Sequence, residues 1–86
     1  MPLVSKFFGI TIAMYFNDHS PPHFHVRYGE NTAKIAIDTL EIIKGKLPSR
    51  VLSLVLEWSV LHRSELSNNW KLAQNGKPTK QIKPLE

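Results

Sequence analysis

Asp18-His19-Ser20-Pro21-Pro22-His23-Phe24-His25-Val26-Arg27-Tyr28-Gly29 is the stretch on which the fold turns. It changes character at Pro22. Asn17 to Pro22 is dense in turn formers, and the Pro-Pro pair makes the loop stiff and admits a cis bond. From His23 to Tyr28 the side chains alternate at period two, the mark of a strand with one buried face. Phe24, Val26 and Tyr28 then share one face, while His23, His25 and Arg27 share the other. The apolar set belongs on a core. The outer face is left with two imidazoles and a guanidinium in a row, and Asp18 and His19 lie on the loop above them.

Working outward, residues 4–16 read as a strand, with Ile10, Ile12, Met14 and Phe16 on one face and Thr11, Ala13 and Tyr15 on the other. Gly9 interrupts this run and predicts a bulge or a close backbone approach. Downstream, Gly29-Glu30-Asn31 is a turn and 32–37 a third strand. Asp38-Thr39 is another turn, and 40–43 a fourth strand closed by Lys44-Gly45-Lys46. The pattern then switches to period 3.6. Pro48 opens a helix over 48–62, with Val51, Leu54, Val55, Trp58 and Leu61 as its apolar stripe, widened by Leu52 and Leu56. Ser64 caps a second helix that turns Leu66, Trp70 and Ala73 inward and ends at Gly76 and Pro78. The basic tail 77–86 follows, with Ile82 or Leu85 to pin it as a short edge strand. Strands that precede helices predict an α+β fold. The expected architecture is a small antiparallel sheet of about four strands followed by two helices packed on one face. One domain spans 1–86, with strands over about 4–44 and helices over about 48–75.

The composition fits a small globular domain: 86 residues, 42% apolar and 21% charged. With no cysteine, neither a disulfide framework nor a thiolate metal site is available. No run approaches the roughly 18 apolar residues of a membrane span, and no charged head precedes an apolar run at the start. A cytoplasmic protein with no membrane partner is expected. The net charge is +4 and uneven. Residues 1–43 set Lys6, Arg27 and Lys34 against Asp18, Glu30, Asp38 and Glu41, a net of −1. Residues 44–86 carry +5, with Lys71, Lys77, Lys80 and Lys83 late in the chain. A basic half can hold phosphates, although only three of its bases and those upstream are Arg, the better planar phosphate binder.

Three of the four histidines fall within seven residues, and they admit three readings. Imidazole titrates near pH 6.5, so a pair can supply a base and an acid at neutral pH. With Arg27 as phosphate clamp, His23 and His25 suit metal-independent RNA cleavage, and His19 serves as an orienting or alternate base. Asp18 and Tyr28 complete the substrate-binding set, and no cofactor or metal is required. The second reading is a non-catalytic binding module, in which the exposed sheet and the stiff loop dock a partner protein. The third places a hydrolytic metal on His19, His23 and His25 with Asp18. Against all three stands a plain turn in which the histidines hydrogen-bond loop backbone. His62 reads as a helix-end cap, Glu57 as solvated, and Trp58 and Trp70 as packing.

The run Tyr15-Phe16-Asn17-Asp18-His19-Ser20-Pro21-Pro22-His23-Phe24-His25-Val26-Arg27-Tyr28-Gly29 resembles the hallmark of a small bacterial family known as domain of unknown function 4160. Ser5-Lys6-Phe7-Phe8-Gly9-Ile10, Gly45-Lys46-Leu47-Pro48, Leu56-Glu57-Trp58, Asn69-Trp70 and Ile82-Lys83-Pro84-Leu85 extend the resemblance over essentially the whole chain. The resemblance implies a neighbouring gene of a second small family, domain of unknown function 2442. That arrangement looks like a toxin–antitoxin pair, with this chain as the toxin and the neighbour's product as its partner protein. It transfers no catalytic residues.

Overall fold

Phe8 and Gly9 both hold positive φ, 49° and 77°, so the apolar run over 4–16 folds back on itself. The computed structural model describes residues 3–16 and 18–86. In it the run forms two strands, β1 (Leu3–Phe7) and β2 (Ile10–Ala13). Two left-handed central residues make the hairpin turn whose twist matches that of its strands. Gly9 is therefore a turn residue rather than a bulge, and the sheet has five strands rather than four. Phe16 lies beyond the end of β2 and is exposed, not on the core face.

The remaining strands are β3 (His23–Tyr28), β4 (Asn31–Ala36) and β5 (Ile42–Gly45). All neighbours pair antiparallel in the order β1-β2-β3-β4-β5, a meander. The turn between β3 and β4 is shorter than the sequence implied, because Tyr28 pairs with Asn31 and only Gly29 and Glu30 lie between them. β5 begins two residues later than expected. Leu40 takes a positive φ of 59° and its N–H closes a turn onto the Ala36 carbonyl. At the end of β5 the backbone crosses close over β4. A β-carbon on Gly45 would lie 2.1 Å from the Thr32 carbonyl oxygen, and its φ is +92°, so only glycine fits.

Helices α1 (Ser49–Leu61) and α2 (Arg63–Gln74) lie on one face of this sheet. The core joins Ile10, Ile12, Phe24, Val26 and Ile35 from the strands to Val51, Val55, Trp58, Leu66 and Trp70 from the helices. Trp58 is fully buried between Phe7 and Phe24, with ring centroids 5.4 and 6.2 Å away. Its indole N–H donates to the Lys83 carbonyl at 2.9 Å. Leu61 departs from the expected stripe and is exposed, because α1 ends there and the chain turns at His62. His62, not Ser64, is the N-cap of α2, with its Nδ1 2.6 Å from Glu65 Oε1.

The tail forms no strand but is still fastened. The Ile82 N–H donates to the Val4 carbonyl, and Asn69 bonds the Lys80 backbone through both its amide nitrogen and its amide oxygen. Among the described residues, no helix is long and apolar enough to cross a membrane.

Candidate functional site

The helices leave the opposite face of the sheet open, and the strand register decides what stands there. Ala13 pairs with His25, His25 with Lys34, and Lys34 with Lys44. One row of side chains thus crosses four strands. The next row runs Lys6, Thr11, Arg27, Thr32. Residues directly opposite in antiparallel strands share a face, and neighbouring strands lie about 4.8 Å apart. The two rows therefore set Lys6, Arg27, Lys34 and Lys44 together on one surface. A trough of about 320 Å³ lies among them, lined by Tyr15, His25, Arg27, Lys34 and Lys44 with the Thr11 and Thr32 side chains. Among the described residues, no acidic side chain lines it. Lys34 and Lys44 face each other with no carboxylate between them, a like-charge pair that costs stability.

At the β3 end of the trough the loop over 18–22 folds down. The Ser20–Pro21 peptide is cis. The loop is tied from two sides: Gln74 of α2 donates to the Asp18 carbonyl at 2.9 Å, and the Ile37 N–H donates to the Pro22 carbonyl at 3.0 Å. This brings the Asp18 carboxylate against both strand histidines. Asp18 Oδ2 lies 2.9 Å from His25 Nε2 and 3.4 Å from His23 Nε2. The two imidazoles are 5.1 Å apart, and the Tyr15 ring meets His25 edge-on at 4.5 Å.

The two histidines are not equivalent. His25 is half-buried and lines the trough. His23 is 5% exposed and packs on Trp70, with ring centroids 5.3 Å apart. Alternation assigns it to the open face, but it is the first residue of its strand, where the loop and α2 close over it. Its Nδ1 lies 2.8 Å from the Pro21 carbonyl. A carbonyl oxygen only accepts, so Nδ1 carries the hydrogen and Nε2 is the atom turned towards Asp18.

The other sequence candidates spread out. Arg27 is exposed at the trough, and its Nε reaches the Gly29 carbonyl only at 3.5 Å, so the guanidinium is free to take a ligand. His19 is exposed and stands outside the Asp18/His23/His25 group. Tyr28 is on the helix-side face, 38% exposed, and its ring covers the Gly9 turn, so it does not line the trough. The sequence reading gives Lys6, Lys34 and Lys44 no site role and places Tyr15 only as a strand residue beside Thr11 and Ala13. Period two in β1, β2 and β4 could have found Lys6, Tyr15 and Lys34, but Lys44 needed the position of Gly45.

A small α+β protein with one face sealed by helices and the other open and basic is the class that these features define. The family described as "Domain of unknown function (DUF4160)" matches residues 9–71, and the chain belongs to it. No curated protein and no solved structure matches.

Proposed function

We propose that this protein binds single-stranded RNA across the open face of its sheet and cleaves it beside His25, as the toxin-like member of a two-gene module. The observation that carries the reading is the register that gathers Arg27, Lys34 and Lys44 around one trough with no acid among its lining residues. Cations so placed release condensed counterions when phosphates bind, which favours a polyanion over a neutral ligand. A sheet face with an aromatic ring among its cations suits unstacked bases, and Tyr15 stands in that place. The unrelieved Lys34–Lys44 pair supports a bound anion as its natural neutraliser. The resemblance to toxin–antitoxin pairs supports the module.

Within this reading Arg27 clamps a phosphate, Lys34 and Lys44 hold its neighbours, and His25 is the imidazole that reaches the strand. His23 is buried behind it and supports the corner rather than touching RNA. Residues 77–86 contribute no lining to the trough, so the face, not the tail, supplies the affinity.

The test is binding of a fluorescently labelled single-stranded RNA, followed by anisotropy over a range of salt concentrations. Arg27→Ala, Lys34→Ala and Lys44→Ala should each weaken binding. Each should also flatten the slope of log K against log salt by about 0.7, the value for one phosphate contact on a single strand. Induced expression should arrest growth with RNA cleavage for the wild type and not for His25→Ala. No RNA binding at low salt, with capture of an acidic partner protein by the same face, would replace this reading with a docking module.

A further inference from the structure

The loop corner holds an unbalanced arrangement of lone pairs. His23 donates through Nδ1 to the Pro21 carbonyl at 2.8 Å, so Nε2 of the neutral ring carries a bare lone pair. That atom is buried, has no hydrogen-bond partner, and belongs to a side chain only 6% exposed. It faces Asp18 Oδ2 at 3.4 Å, which is itself an acceptor. Two acceptors that face each other out of water repel, and a buried polar atom without a partner is destabilising. A cation between them removes both problems.

We propose that Asp18, His23 and His25 bind one divalent first-row transition-metal ion, of the Zn²⁺ or Mn²⁺ kind, through Oδ2, Nε2 and Nε2. The three ligand atoms lie within 4.8 Å of one another. Ligands about 2.0–2.1 Å from a tetrahedral ion are roughly 3.3 Å apart, close to the His23–Asp18 separation. The Pro21 carbonyl on Nδ1 is the outer partner that metal-binding imidazoles use to fix ring and tautomer. His25 Nε2 lies 2.9 Å from the same oxygen, and the neutral ring ligates in the tautomer that carries its hydrogen on Nδ1, which leaves the Nε2 lone pair for the ion. Two histidines and a carboxylate leave further coordination positions free, the pattern of sites that bind a substrate oxygen as well. His25 lines the trough, so those positions lie beside the basic rows. The ligand class for them is a phosphate oxygen. That last step rests on the RNA reading, whereas ion binding does not.

The experiment uses the full chain, stripped with EDTA and dialysed. Zn²⁺ is titrated by calorimetry, and Mn²⁺ is followed by its electron paramagnetic resonance signal. The wild type should take up one ion per chain. Asp18→Asn and His25→Ala, which do not open the core, should each weaken uptake by at least tenfold with circular dichroism unchanged. His62→Ala removes the histidine–carboxylate pair at the helix junction and should leave uptake unchanged. A wild type that binds no ion, or equal uptake in Asp18→Asn and His25→Ala, overturns the site. RNA anisotropy in EDTA separates the two proposals. Binding that persists in metal-free protein with no ion site keeps the RNA reading and removes the metal. An ion that binds without any RNA affinity does the reverse.

Discussion

The two faces of the sheet are built from the same strands and follow opposite rules. On the helix side, Ile10, Ile12, Phe24, Val26 and Ile35 are all at most 1% exposed and belong to one core cluster with Trp58. On the open side, one residue away along each strand, stand Thr11, His25, Arg27, Lys34 and Lys44. The first face minimises free energy: every position removes apolar surface from water. The second does not, because it sets Lys34 directly against Lys44 and leaves the Arg27 guanidinium with only a long contact. A face that carries like charge without relief is shaped by something other than stability. Two residues of β3 can separate the two purposes.

Phe24→Ala should give the largest effect. Phe24 is fully buried against Trp58, and truncation of a core Phe costs about 3–5 kcal/mol. Small domains have roughly 5–15 kcal/mol in all, so thermal denaturation should show a much lowered or lost transition. Arg27→Ala, three positions along, should change stability by no more than about 0.5 kcal/mol, as an exposed position does. If the two substitutions lowered the transition alike, the open face would be structural and the comparison would fail.

Charge on the two sides of the chain gives the next effect. Lys77→Ala with Lys83→Ala removes two cations from the tail, which lies outside the trough. RNA affinity should then fall less than in Lys34→Ala, and the salt slope should change by less than the roughly 0.7 expected for one phosphate contact. An equal or larger loss from the tail pair would move the binding surface to the helix side.

This result would also mark where the sequence misleads. Summed along the chain, charge points to 44–86, because Asp18, Glu30, Asp38 and Glu41 cancel the early cations. In the fold Glu30, Asp38 and Glu41 lie in turns between strands, while Lys6, Arg27 and Lys34 stand on the open face. Alternation carried the reading of β3 well: Phe24 and Val26 are buried, and His25 and Arg27 face out. It failed at the strand's ends, where His23 is covered by Trp70 and Tyr28 runs past the core. Turn length was the other gap. A three-residue turn at 29–31 would shift the register by one and turn Lys34 away from His25. The two-residue turn pairs them. The helices were legible from their 3.6 period, apart from the last turn of α1, whose direction is set by the junction at His62. The meeting of Asp18 with His23 and His25 depends on loop ties from Gln74 and Ile37, 56 and 15 residues away in sequence from their partners, which no local pattern encodes.

The smallest effect is the sharpest on purpose. Lys44→Glu turns a like-charge pair across β4 and β5 into an opposite one. Cross-strand pairs of that kind contribute about 0.2–1 kcal/mol, so the variant should melt slightly higher than the wild type. The same change places a carboxylate in the trough beside Lys34, where it competes for the cations that a phosphate would meet. RNA affinity should fall by more than in Lys44→Ala, and the gap between the two variants should shrink as salt rises and screens it. Higher stability together with weaker binding would mean that β4 and β5 keep a charge the fold does not want because the ligand requires it. Lower stability would mean that the Lys44 stem packs on the sheet, and that the open face owes its lysines to structure after all.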